Sequence, residues 1–266
     1  MEQLRSLSFK TIVSFVVCVI DDFNGERVRN GNLLITLAES RKRPIRKKEG
    51  VFVFVDLERM TYNLRIESDR YFAQNIQVDP DQLDRLDPVI YVRLKPLPSY
   101  PFSNAATLLR GRLVDRAERI LPEAAVRAVV KTRECAKGRI LQENVPKGSR
   151  VLSFARLNGK ISEGENLITE EKDAKQTEIC KISRLYEDNS FGLCEPLKFD
   201  HGRGTFLLPV TETVSDERGE TVVYFFNMRV PCIEVELQIS HDGRSDTRKY
   251  EVEAGSTYNF GTQKFK

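Results

Sequence analysis

Residues 213–226 read Thr-Val-Ser-Asp-Glu-Arg-Gly-Glu-Thr-Val-Val-Tyr-Phe-Phe. A cluster of Asp, Arg and Gly marks a turn in which glycine can take positive φ, and the Val, Tyr and Phe that follow suit a pleated, buried strand. A shorter counterpart, Lys-Glu-Gly-Val-Phe-Val-Phe-Val, occupies residues 48–55. Pairing the two divides the chain into two similar halves.

In the first half, residues 13–20 form an apolar strand and Asp22-Phe23-Asn24-Gly25 a tight turn. Residues 26–37 are a second extended run, and together the two read as a hairpin. Further strands are predicted at 51–55, 62–66, 73–78 and 89–94. Short strands with turns every ten or so residues indicate a β-sandwich, and no helical period appears before residue 100. Residues 94–102 then carry three prolines, Pro96, Pro98 and Pro101. Proline fixes φ and removes donors, so this reads as a stiff linker and a domain boundary, with Tyr100 and Phe102 available to pack between domains.

The second half repeats the order. Residues 112–115, 118–120 and 125–130 follow the pattern of 19–22, 26–28 and 33–37, while 233–239 and 249–252 correspond to 62–66 and 76–78. Two tandem copies of one sandwich account for this. Residues 38–50 separate the second strand from the glycine strand in the first copy, but 131–212 do so in the second. That surplus is too long for a structureless loop and has strand patterns of its own at 151–157, 178–186, 191–195 and 205–210. The expected fold is therefore all-β. A first sandwich spans 1–96 and a linker 97–106; the second sandwich spans 107–130 and 211–266, interrupted by a small barrel-like module at 131–210.

The order of strand, Asp-turn-Gly, strand, charged turn ending in Gly, apolar strand and alternating strand resembles the carboxypeptidase regulatory-like, or transthyretin-like, sandwich, and it fits both copies. That family is a scaffold and brings no catalytic residues. The insert, with Ile179 and Ile182, then Leu193, Pro196 and Leu197, then His201 and Gly202, is similar to a β-module of phage-tail and contractile-injection proteins. The linker Pro98-Ser99-Tyr100-Pro101-Phe102, followed by residues 107–111, is similar to a pattern associated with phage-tail-like gene clusters. These resemblances imply a structural or adaptor component of such a particle.

Composition sets bounds. With 42 Lys and Arg against 39 Asp and Glu, the net charge of +3 gives no global pull toward nucleic acid or anionic membrane. Five scattered cysteines without a CxxC pair point to free thiols, a reducing compartment and hence the cytoplasm, and away from zinc. The apolar run at residues 12–20 lacks a small-residue cleavage site and is too short to span a bilayer.

Catalytic motifs are missing: no GxSxG, HExxH, P-loop or GxGxxG occurs. His201 and His241 sit in glycine-containing turns and read as surface or hydrogen-bonding residues. Asp21-Asp22-Phe23-Asn24-Gly25 and Asp79-Pro80-Asp81 lack EF-hand spacing and read as turns. No catalytic residue, metal or cofactor is expected.

The distinctive local feature is Arg41, Lys42, Arg43, Arg46, Lys47 and Lys48, six cations in eight residues. Such a run reads first as a solvated connection; if it carries a function, these six are the expected partner-binding residues, for an acidic protein surface, and the lack of interleaved aromatics counts against single-stranded nucleic acid. An acidic stretch at 163–173 suggests contacts between copies of the chain. The alternative function, a carbohydrate or cell-surface ligand module, is weakened by the absence of Trp among 266 residues.

Overall fold

In the computed structural model the described residues are 11–29, 32–170 and 174–265. Among them the regular structure is β-strand with three short 3₁₀ turns and no α-helix. Two compact units are formed, one within residues 1–20 and 26–94, the other within 21–25 and 95–266.

In the first unit the strands are β1 (Val13–Asp21), β2 (Leu34–Leu37), β3 (Ile45–Arg46), β4 (Val51–Val55), β5 (Tyr62–Glu67), β6 (Gln74–Val78) and β7 (Val89–Leu94). They make a sheet in the order β3-β4-β1-β7 and another in the order β2-β5-β6. Strands β4 and β5 bury every second residue: Phe52 and Phe54 from one, Tyr62, Leu64 and Ile66 from the other. This period of two puts one face of each sheet into a core with Phe15, Val17, Val19, Ile35, Leu37, Val92 and Leu94. Of the extended run expected at 26–37, residues 34–37 form β2 and Arg27 makes an isolated bridge to Ile20, while residues 30 and 31 lie outside the described residues.

The second unit contains β8 (Ala106–Val114), β9 (Ala125–Val130), β10 (Gly138–Ile140), β11 (Asn144–Val145), β12 (Val151–Arg156), β13 (Asn166–Glu170), β14 (Ile179–Leu185), β15 (Ser190–Leu193), β16 (His201–Gly202), β17 (Phe206–Val214), β18 (Glu220–Phe226), β19 (Cys232–His241), β20 (Arg244–Glu253) and β21 (Thr257–Lys264). One sheet runs β18-β8-β21; a longer one runs β10-β12-β15-β14-β13-β17-β9-β19-β20. An added β10–β17 pairing closes the first six of these strands into a ring, the small barrel of the insert. Its interior is Ile140, Leu152, Phe154, Leu167, Ile182, Phe191 and Leu207.

Strand β17 belongs to both parts. Residues 206–209 pair with β13 in the barrel and 210–214 with β9 in the sandwich. Pro209, which has no N–H for a ladder, sits at the junction, where the strand changes partners.

The two sandwiches share one topology. Pairing of β1 with β4 brings Cys18 opposite Val51, and pairing of β8 with β18 brings Arg112 opposite Glu220. One residue on, Val19 N–H donates to the Gly50 carbonyl at 2.9 Å and Leu113 N–H to that of Gly219 at 2.8 Å. Val28 then donates to Val19 and Leu121 to Leu113, at 3.0 and 3.1 Å. The second sheets match too, β2-β5-β6 against β9-β19-β20. They differ before the glycine strand: β3 joins the sheet of β4, whereas β17 joins the opposite sheet beside β9.

Within the second unit, Phe23 is buried among Tyr100, Phe102, Tyr224 and Phe226 at ring-centroid distances of 5.1 to 6.2 Å. The proline-rich segment supplies Tyr100 and Phe102 to this cluster. Asp21 and Asp22 do turn duty here: the Phe23 N–H donates to Asp21 Oδ1 at 2.9 Å, and the hydroxyls of Tyr100 and Tyr224 donate to Asp21 and Asp22 at 2.5 and 2.6 Å.

Candidate partner-binding surface

The basic segment follows β2 and ends in the β3–β4 hairpin. Arg41, Lys42, Arg43, Arg46, Lys47 and Lys48 are all exposed, as the cost of burying an unpaired cation requires. Ser40 Oγ accepts from the Lys42 N–H at 3.2 Å, and the Lys42 ammonium donates to the Asp56 carbonyl. Ile45 lies opposite Val53 and Arg46 opposite Phe52, whose ring centre lies 5.8 Å from the Arg46 guanidinium carbon. The hairpin closes with Lys47 N–H donating to the Val51 carbonyl at 2.8 Å, around Glu49 and Gly50 at φ of 62° and 67°. A Cβ on Gly50 would sit 2.7 Å from the Val28 carbonyl, so glycine is required there on two counts.

Elsewhere the molecule pairs many of its charges. Arg65 meets Glu67, Arg127 meets Glu212, Arg133 meets Glu170, Arg248 meets Asp246 and Lys264 meets Glu118. Among the described residues no carboxylate pairs with Arg41, Arg43, Lys47 or Lys48. The acidic stretch is partly committed within its own chain: Glu165 is buried against Lys137, and Glu170 holds Arg133. Residues 171–173 of that stretch lie outside the described residues.

The two histidines sit in different settings. His201 is 1% exposed, so of the two roles expected from its turn it takes the hydrogen-bonding one: its Nε2 lies 2.9 Å from Glu178 Oε1. The same carboxylate accepts from the N–H groups of Lys198 and Phe199 at 2.9 and 3.1 Å, so Glu178 stitches the turn before β16 to the start of β14. No local pattern signals this clamp, because Glu178 becomes a cap only when the barrel brings residues 198–201 to it. His241 lies nearer the surface of the second unit, 3.5 Å from Asp242. Among the described residues no group of three or more His, Cys, Asp or Glu side chains could hold a metal ion.

Burial pushes the thiol of Cys180 up to about 12, helped by the Glu178 charge, and that of Cys135 up to about 11. These thiols are held protonated, the reverse of an activated nucleophile. A cleft of about 510 Å³ is lined by Tyr100, Phe102, Asn104, Arg110 and Thr257 among others. Its cation, Arg110, is engaged: it donates to the Pro98 carbonyl at 2.7 Å and lies 5.4 Å from the Phe102 ring centre.

No family model matches this chain, and no curated protein matches it either. Several solved structures do. The shaft pilin SpaA of Lactobacillus rhamnosus GG is 10% identical, over 95% of this chain and 96% of that one, with a TM-score of 0.25. The major pilin subunit BcpA of Bacillus cereus is 10% identical over 96% and 99%, with a TM-score of 0.23. The Bacillus anthracis TIE protein is 10% identical over 95% of this chain and 50% of its own, with a TM-score of 0.24. Likeness of this degree carries no inference about ligand or partner.

Proposed function

We propose that this chain is a non-enzymatic structural or adaptor subunit that joins a larger assembly through protein contacts, docking an acidic partner on residues 41–48. The observation that carries the reading is the basic segment itself. Arg41, Arg43, Lys47 and Lys48 project without carboxylate partners among the described residues, from a molecule in which many other cations are paired. A rigid sandwich edge bearing such a segment offers fixed cations to a complementary surface, which favours fast, oriented docking. The resemblances of the insert and of the linker support a phage-tail-like or contractile injection particle as the assembly. The free cysteines support a cytoplasmic site of action.

The test is sedimentation of native lysate through a density gradient, with mass spectrometry of the fraction that holds the chain. Comigration with tail-tube and sheath proteins is the expected result, and it should be lost when all six basic residues are changed to Gln or Ser. Sedimentation as a lone monomer would sink the assembly reading. Comigration with RNA or DNA that ends on nuclease treatment would make the segment a polyanion site instead.

A further inference from the structure

We infer that β20 is a self-pairing edge, on which a second copy of this chain docks antiparallel about Tyr250. The edge belongs to the second unit and is independent of the basic segment.

Strand β20 ends its sheet: it pairs with β19 over all ten residues without a bulge, and among the described residues no strand pairs with its other side. The direction of its free groups follows from the ladder. Ala254 N–H donates to the Pro231 carbonyl at 2.9 Å, and Lys131 N–H, on the other side of β19, donates to the Glu234 carbonyl at 2.8 Å. By the alternation of an antiparallel pair, Asp246, Arg248, Tyr250 and Val252 point their backbone groups at β19. Ser245, Thr247, Lys249, Glu251 and Glu253 therefore point theirs outward. Of these, the Glu253 carbonyl already accepts from Ser256. The other sheet-ending strands are shorter, and β21 carries an irregularity at Gly261, φ 69°, that interrupts its register. Short or bulged edges resist pairing; β20 is neither.

Charge selects the occupant. On the solvent face Glu251 lies directly opposite Glu234, a like-charge pair, while Lys249 lies opposite Glu236 and 3.5 Å from Glu234. Lys249, the cation next to Glu251 on β20, is drawn to Glu234, and among the described residues Glu251 has only the Cys232 thiol, at 3.6 Å. Like charges opposite one another on adjacent strands are destabilising, so this face is short of a cation beside Glu251. A second β20 supplies one. In a two-fold antiparallel pairing centred on Tyr250, each Lys249 lies opposite the second copy's Glu251, and each Thr247 opposite its Glu253. Lys249 and Glu251 keep both outward backbone groups free, and Thr247 adds its own with the Glu253 N–H, so the central ladder and the charges are satisfied in the same register. On the other face, Tyr250 meets its symmetry mate at a non-hydrogen-bonded position, where side chains approach most closely. Tyr250 already packs on Tyr258 and Phe260 at 5.5 and 5.9 Å, and Tyr258 is 41% exposed, so the pairing also covers an aromatic patch.

The experiment is sedimentation velocity of the full chain across loading concentrations. Wild type is expected to show a concentration-dependent dimer. K249E and E251K should each weaken it by about tenfold or more, because each places two like-charge pairs across the interface. An equimolar mixture of K249E and E251K chains should recover it, as should the K249E/E251K double variant. Thr247→Pro, at an outward N–H that the fold does not use, should abolish it with the circular dichroism spectrum unchanged. A wild type that is monomeric at every concentration, or a dimer indifferent to both charge changes, overturns the inference. Neutralising residues 41–48 should leave this dimer intact, which separates its failure from failure of the docking reading above.

Discussion

Gly50 and Gly219 are counterparts, each at positive φ, each accepting a backbone hydrogen bond from the first strand of its sandwich, from Val19 and from Leu113. A Cβ at Gly219 would lie 2.6 Å from the Leu113 carbonyl, and one at Gly50 would lie 2.7 Å from that of Val28. Gly219→Ala and Gly50→Ala should therefore each cost more than the roughly 1–3 kcal/mol of a strained φ alone. Gly148→Ala is the control, because its φ is 89° but nothing lies within 4 Å of the added carbon. Chemical denaturation that ranks Gly148→Ala level with the other two would remove the close-approach argument.

Tyr224 and Tyr100 each donate a hydroxyl to a turn carboxylate, Asp22 and Asp21. Hydrogen bonds to charged acceptors are worth about 1.5–3 kcal/mol. Tyr224→Phe and Tyr100→Phe should each lower the unfolding free energy within that range. Because both rings touch Phe23 and Phe102, the double variant should depart from additivity.

Glu178 accepts from two backbone N–H groups and faces His201. Glu178→Ala leaves these donors without an acceptor, each at a cost of about 1–3 kcal/mol. Hydrogen exchange at residues 198–201 should accelerate while the amides of β8 and β19 keep their protection. Uniform acceleration throughout the second unit would show that the clamp is not local.

Cys18, Cys135 and Cys180 are buried, whereas Cys194 is exposed and Cys232 partly so. Iodoacetamide at mildly alkaline pH should label Cys194 and Cys232 in the native protein and all five only in denaturant. Native labelling of Cys180, whose thiol burial pushes up to about 12, would contradict its place in the barrel core.

Changing the six basic residues of 41–48 to Gln or Ser should leave stability within about 0.5 kcal/mol of wild type per substitution, as exposed changes do, measured by thermal unfolding. It should also flatten the salt dependence of partner binding, since exposed charges are screened by salt. Wild-type binding that is insensitive to salt would rule out electrostatic docking.

The sequence by itself determined the strand class, the two glycine turns and the exposure of the basic segment. Each is local: alternation fixes which face is buried, Gly before an apolar run fixes the turn, and six cations in eight residues cannot enter a core. The tertiary structure decided the rest, because it depends on residues far apart in the chain. Strand β17 serves two β-structures, divided at Pro209, and its partners come from residues 125–130, 138–139 and 166–170. Glu178 becomes a cap only when barrel closure delivers residues 198–201. The open side of β20 follows from which strands reach it, and sheet order is a property of long-range pairing that no local pattern encodes.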